Sequence, residues 1–222
     1  MKKLYVIVAV IVLFAIGIAY TAMSKDDKQS STVATQTSTK EVDNILVIGD
    51  PNARVTIIEY ADFKCPNCGK FHQQSGKQLR TDFIDKKLAK IEFRNVPFIA
   101  SDSRPAAEGT YCANDQKKFV QYHDKVFDYM WDNYYSKDNS KEFENILTPD
   151  KLTELSAEAG LDKAVFNQCL VSGKHKSSVD ADLKKSEQDG LTGTPLIIIN
   201  DQKVVGPQPY STYKTLLGIA LR

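Results

Sequence analysis

The sequence predicts an α/β domain in which a long helical block interrupts a small sheet. Three observations carry this. An apolar run, Val55-Thr56-Ile57-Ile58-Glu59-Tyr60, leads directly into Cys65-Pro66-Asn67-Cys68 at the start of a helical pattern. A second strand-like segment, Ile91-Glu92-Phe93-Arg94-Asn95-Val96, follows that helix. Strand character then returns only at Leu196-Ile197-Ile198-Ile199, after a long helical stretch. The order reads β-α-β, helices, β-β-α.

Residues 55–60 have the length and β-branched content of a buried strand. The helix after Cys65 places Phe71, Leu79, Phe83, Ile84 and Leu88 on one apolar stripe. Residues 91–96 alternate and complete a βαβ unit, which implies parallel strands and a right-handed crossover. Phe119, Tyr122, His123, Val126, Phe127, Met130 and Trp131 recur at helical spacing, so His123 reads as a packed core histidine. Thr148-Pro149 supplies an N-cap and a first-turn proline for the next helix, which Gly160 ends. Asp162 caps another helix that stops at Gly173, and residues 179–188 form one more. His175, among Lys and Ser, reads as surface. The strand at residue 196 turns at Asp201-Gln202 into Lys203-Val204-Val205, a hairpin that Gly206-Pro207 breaks. Residues 211–221 form a last helix carrying Tyr213, Leu216, Leu217 and Leu221. No Gly/Ser-rich linker separates the helices from the strands, so residues 98–190 read as an insertion into the sheet domain.

Lys2 and Lys3 precede an uncharged apolar stretch over residues 4–23, either a secretory signal or a membrane anchor. The stretch exceeds a usual signal core, and Ala22-Met23-Ser24 fits a small-x-small cleavage site only loosely. The reading favours an uncleaved anchor over residues 1–23 in the cell membrane, with a cleaved signal and a secreted or periplasmic protein as the alternative. With Lys2 and Lys3 held in the cytoplasm, the remainder lies outside. Residues 24–44, rich in Ser, Thr, Lys and Asp, read as a flexible linker spanning roughly 25 Å. Residues 45–222 suffice for one domain with a sizeable core. A net charge of +1, from 29 basic and 28 acidic residues, predicts no nucleic-acid partner.

A strand feeding Cys-x-x-Cys at a helix start is the geometry of thiol–disulfide exchange. Unpaired N–H groups and the positive end of the helix dipole stabilise a thiolate there. Cys65 is therefore the reactive thiol and Cys68 the partner that closes the ring. The same motif is half of a zinc site, and His72, one turn beyond Cys68, offers a third ligand. No second Cys-x-x-Cys or His-x-x-x-His completes such a site, so a metal-binding protein using Cys65, Cys68 and His72 is the lesser reading. Cys112 and Cys169 lie in helical patterns away from the motif. They are either two buried thiols or a structural disulfide, and an even count in an exported chain favours the bridge. Closing a loop of that length stabilises by about 4 kcal/mol in the chain-entropy model.

The order of elements, with Glu59-Tyr60-Ala61-Asp62-Phe63-Lys64-Cys65-Pro66-Asn67-Cys68 and Gly190-Leu191-Thr192-Gly193-Thr194-Pro195, resembles the thioredoxin fold. The helical insertion and the Cys-Pro-x-Cys form resemble its DsbA-like branch of thiol oxidoreductases. The resemblance runs from about residue 44 to the C-terminus. It implies a thioredoxin fold with an inserted all-helical subdomain, and a protein disulfide oxidoreductase that needs no cofactor and holds no metal. Cys65 corresponds to the attacking thiol and Cys68 to the buried resolving thiol, with Pro66 and Asn67 between them. Thr194-Pro195 corresponds to a cis-Pro loop, which with Gly193 pairs its backbone with an extended client peptide. Glu59 corresponds to a buried acid that relays the Cys68 proton. The implied partners are exported reduced or unfolded proteins as substrates, and a membrane quinone-linked thiol oxidase as reoxidant. Asn67 departs from the best-known oxidases of the branch, which carry His there. A neutral amide supplies no imidazolium charge, so a less strongly oxidising disulfide is expected. A disulfide isomerase or reductase of the same fold is the alternative. Family isomerases usually carry a dimerisation domain, for which residues 24–44 are too short and too polar.

Overall fold

The computed structural model describes residues 45–137, 139 and 141–222. The expected anchor and linker lie outside the described residues. Among the described residues, no helix is long and apolar enough to cross a membrane.

Five strands of the described residues form one sheet in the order β1-β3-β2-β4-β5. The strands are β1 (Leu46–Ile48), β2 (Val55–Ala61), β3 (Ala89–Asn95), β4 (Leu196–Ile199) and β5 (Gln202–Val205). β2 and β3 are parallel, and the other pairings are antiparallel. Between β2 and β3 runs helix α1, which begins as Pro66–Phe71 and continues through a π-helical turn, His72–Gly76, and the α-helical Lys77–Leu79. A second π turn, Arg80–Ile84, ends it. Between β3 and β4 lie α2 (Ser103–Asp115), α3 (Phe119–Asn133), α4 (Pro149–Glu158), α5 (Lys163–Ser172) and α6 (Lys176–Gln188). Helix α7 (Tyr210–Ala220) follows β5.

One face of the sheet carries Ile57, Ile91, Phe93, Ile197 and Ile199 into a core shared with Phe71 and Leu79 of α1, Phe127 of α3, and Tyr213 and Leu217 of α7. The opposite face carries Tyr60, Leu196 and Ile198, packed with Val96, Leu183 of α6 and Leu191. Asp182 of α6 pins this second layer to β3. It accepts from Asn95 N–H at 2.9 Å and from the Tyr111 hydroxyl at 2.6 Å, and pairs with Arg94 at 3.3 Å.

Local chemistry sets the helix ends. The Thr148 hydroxyl accepts from Lys151 N–H, and Asp162 accepts from Val165 N–H at 3.0 Å. Gly173 takes the left-handed conformation that closes α5.

Several elements differ from the sequence expectation. β1 is three residues long, too short for any alternation to register, and exists by pairing Leu46 with Phe93 and Ile48 with Ile91. Leu88 is not on the stripe of α1. Lys87 adopts a φ of 58° just beyond the helix and leaves Leu88 41% exposed in the turn. The hairpin turns at Asn200-Asp201, both at positive φ, so Gln202 already pairs with Ile199. Helix α6 starts at Lys176, three residues before the expected start. His175 is buried rather than at the surface: it stacks on Tyr111 and bonds Asp115 through Nε2 at 2.9 Å.

The topology fixes where chemistry can occur. β2 and β3 end together, with Ala61 opposite Asn95. β4 runs against β2, so its first residue, Leu196, pairs with Tyr60 near the end of β2. The loop leaving β2 and the loop entering β4 therefore meet at one end of the sheet, which is where parallel-strand ends place ligand sites.

Candidate active site

Cys65 is the N-cap of α1 with extended backbone, and Pro66 occupies the first helical turn. Two bonds set this geometry: Cys65 N–H to Asp62 O at 3.0 Å, and Gly69 N–H to Cys65 O at 3.1 Å. The Asn67 and Cys68 N–H groups, unpaired within the helix, point to the Cys65 sulfur. Across the gap, the Thr194 carbonyl lies 3.6 Å from Cys65 Sγ. The Thr194-Pro195 peptide is cis, and Pro195 O accepts from Gly206 N–H at 2.8 Å, which ties the loop to the end of β5. Gly193 precedes the loop, facing Val205.

Cys65 and Cys68 are both thiols here, and they differ sharply in environment. Cys65 retains 6% exposure, whereas Cys68 has none. Hydrogen bonds from the Cys68 thiol, then from the Thr194 side chain and the two helix N–H groups, bring the Cys65 thiol down to about 6 against the cost of burial. Burial, reinforced by the neighbouring Cys65, pushes Cys68 well above its ordinary value. The pair thus holds one thiolate near neutrality, on the accessible sulfur. Asn67 is exposed in the first turn.

Glu59 is buried in β2 between Phe93 and Ile197. Burial raises its carboxyl to about 7, with Arg80 opposing and Asp124 adding to the rise. The groups bearing on Cys68 are Cys65, Asp62 and Thr194, whereas those bearing on Glu59 are Arg80 and Asp124. The structure joins Cys65, Cys68 and Thr194, and Arg80 of α1 and Asp124 of α3 are the charged groups that act on Glu59. A carboxyl raised by folding binds its proton more tightly in the folded state. Its contribution to stability is complete below about pH 4.5 and is lost as pH rises toward 7. Glu59→Gln is expected to stabilise the protein at pH 8 by up to roughly 3 kcal/mol and to change little at pH 4. Urea unfolding at the two pH values tests this, and an equal effect at both would contradict it.

His72 turns away from the cysteines. Its ring stacks on Phe127 at 5.0 Å, and Nε2 lies 3.6 Å from Asp128 Oδ1. Among the described residues it groups with His123 and Asp124 rather than with Cys65 and Cys68, so the three-ligand metal set considered from sequence is not assembled. His123 is buried among Phe63, Phe93, Phe119 and Phe127, and burial lowers it to about 4. Cys112 of α2 and Cys169 of α5 are bridged, with Sγ–Sγ 2.06 Å.

Sequence reasoning missed four residues around the nucleophile. Asp62 Oδ2 accepts from Phe98 and Ile99 N–H at 3.0 and 3.1 Å, and Oδ1 accepts from Lys64 N–H at 2.9 Å. Lys64 is fully buried and pairs with buried Asp102 at 3.1 Å. Asp102 in turn accepts from Ile146 and Leu147 N–H, each at 2.7 Å. Tyr135 packs its ring against Gly69 and donates its hydroxyl to Phe63 O at 3.4 Å. Asp62 and Lys64 adjoin the motif in the sequence, whereas Asp102 and Tyr135 reach it only through the fold.

A family model described as Thioredoxin matches residues 41–218. Disulfide bond formation protein D of Bacillus subtilis is 27% identical over 79% of this chain and 77% of its own length. The probable disulfide bond formation protein D of Bacillus cereus is 28% identical over 90% of this chain and 88% of its own. Among solved structures, oxidised BdbD from Bacillus subtilis superposes with a TM-score of 0.71 at 26% identity, covering 80% of this chain and 93% of that one. Alpha-DsbA1 of Wolbachia pipientis shares the fold, with a TM-score of 0.66 at 23% identity over 80% of this chain and 91% of that one. With a sheet interrupted by helices and a Cys-Pro-Asn-Cys helix start, the chain belongs to the thioredoxin superfamily as a DsbA-like thiol:disulfide oxidoreductase.

Proposed function

We propose that this enzyme introduces disulfides into exported proteins through Cys65 and Cys68, outside the cytoplasm. The observation that carries the reading is the asymmetry of the two sulfurs: Cys65 keeps a small exposure and its thiol is lowered to about 6, whereas Cys68 is fully enclosed and burial holds its proton.

A client thiolate attacks Sγ of Cys65 in the oxidised enzyme. The Cys65–Cys68 bond breaks, and Cys68 leaves and takes up a proton. A second client thiolate attacks the client sulfur of the mixed disulfide. Cys65 departs as a thiolate, the client gains its disulfide, and two electrons remain on the enzyme. Stabilisation of Cys65 makes it the better leaving group and favours the reduced enzyme, hence oxidation of the client. Thr194, Pro195 and Gly193 line the place where the client backbone would lie against Cys65. Glu59, with a carboxyl near 7, is the candidate acid for the Cys68 proton. A membrane quinone-linked thiol oxidase would accept the electrons. Residues 1–23 would tether the domain through the linker at 24–44, and the bridge between Cys112 and Cys169 supports an oxidising compartment.

Mixing the oxidised enzyme with a reduced, unfolded test protein in the absence of air tests the reading. One disulfide should appear in the client for each Cys65–Cys68 pair reduced. A client left fully reduced would overturn it.

A further inference from the structure

Two buried histidines meet between α1 and α3 with nitrogens that nothing uses. His72 opens the first π turn of α1, and its N–H donates to Cys68 O one turn back. His123 comes from α3, and the two rings meet edge to face with centroids 5.3 Å apart. The residues are 5% and 1% exposed, yet Nε2 of each lacks a hydrogen-bond partner. His72 Nε2 comes within 3.6 Å of Asp128 Oδ1, beyond hydrogen-bond distance. Buried polar atoms are almost always paired, so two orphaned imidazole nitrogens in one place call for a ligand.

One nitrogen of each ring and one Asp124 oxygen all lie within 4.8 Å of one another. Two imidazoles and a carboxylate are a ligand set for zinc and similar divalent ions. Tetrahedral zinc with bonds of about 2.0–2.1 Å holds its donors roughly 3.3–3.4 Å apart, so the widest pair has to close by no more than about 1.5 Å. The side chains of Asp124 and Asp128 are 31% and 41% exposed, which gives a cation a route in from solvent. Arg80 is the competing charge. Its guanidinium donates to both Asp124 oxygens, with Nη2 to Oδ1 at 2.6 Å. Zinc would take one of those oxygens, and the other would stay on Arg80, which then orients the carboxylate as outer-shell partners of metal ligands do.

We propose that His72, His123 and Asp124 form a zinc-class cation site that clamps α1 to α3, with water or Asp128 Oδ1 as the fourth ligand. It is separate from Cys65 and Cys68 and takes no part in thiol exchange.

The test is a zinc titration of the untagged, oxidised enzyme, in which the Cys65–Cys68 bond withholds both sulfurs from the metal. The chain has three histidines, so long-range proton–nitrogen correlation spectra separate every imidazole nitrogen. One nitrogen each of His72 and His123 should shift as zinc is added. His175, which bonds Asp115 through Nε2, should not. The midpoint of urea unfolding should rise with zinc concentration. Asp124→Asn keeps an oxygen for Arg80, and His72→Phe keeps the ring stack on Phe127. Each should weaken zinc binding at least about tenfold, whereas His175→Gln should leave it unchanged. Wild-type spectra in which neither buried ring responds to a large excess of zinc would overturn the inference. So would a response confined to His175, or undiminished affinity in either Asp124→Asn or His72→Phe. Should a variant fail to fold, the wild-type spectra alone decide.

Discussion

Cys65→Ser abolishes disulfide transfer to a reduced client, and Cys68→Ser accumulates a mixed disulfide on Cys65. The two outcomes follow from the different environments of the sulfurs. Cys65 is the accessible atom, with a thiolate stabilised by the Cys68 thiol, Thr194 and the helix N–H groups. Without it, the enclosed Cys68 sulfur cannot be reached, and burial keeps it protonated. Loss of the nucleophile should take activity to background, a fall of several orders of magnitude. In Cys68→Ser, a client disulfide or activated thiol captures Cys65, and no internal thiol can release it. Non-reducing electrophoresis and mass mapping detect the adduct. Alkylation of wild type at pH 6 should label Cys65 before Cys68, and the reverse order would contradict the assignment.

Lys64→Met destabilises the domain by about 3–5 kcal/mol, because it leaves the Asp102 carboxylate buried without its cation. The partner pair is 0% and 1% exposed at the side chains, so solvent offers no compensation. Asp102 also organises the Ile146 and Leu147 N–H groups, so the loop that Lys64 seats should loosen at the same time. Adding Asp102→Asn should recover part of the loss, since an amide oxygen still accepts from those N–H groups without a net charge. Chemical denaturation of the single and double variants measures this. A loss below about 1 kcal/mol, as for an exposed ion pair, would contradict the buried-pair description.

Those two cases mark where sequence reading succeeds and where it stops. The Cys-Pro-Asn-Cys helix start, the Thr148 and Asp162 caps and the Gly173 stop are local: each depends on residues within a turn of one another. The strand preceding Cys65 and the strand after Pro195 were visible as apolar runs, and their meeting follows once β4 is antiparallel to β2. Lys64 and Asp102 are 38 positions apart, and a lysine beside a loop reads as surface until its partner is placed. His175 fails for the same reason, because its burial depends on Tyr111 and Asp115 from another helix. The strand β1 has no pattern of its own and exists only through β3. The π turns in α1 shift the phase of its stripe, which a uniform helical period does not anticipate.

Asn67 is the departure that bears on the strength of oxidation. An imidazolium in its place would add charge stabilisation to the Cys65 thiolate, so Asn67→His is expected to make the disulfide more oxidising. The wild type already has a Cys65 thiol lowered to about 6 by neutral donors alone.

Equilibration of the purified enzyme with a glutathione redox buffer measures the Cys65–Cys68 reduction potential, and so tests whether this dithiol is built to oxidise. A value above that of thioredoxin, about −270 mV, is the expected result. A value at or below it would contradict the oxidase account and assign the enzyme to reduction.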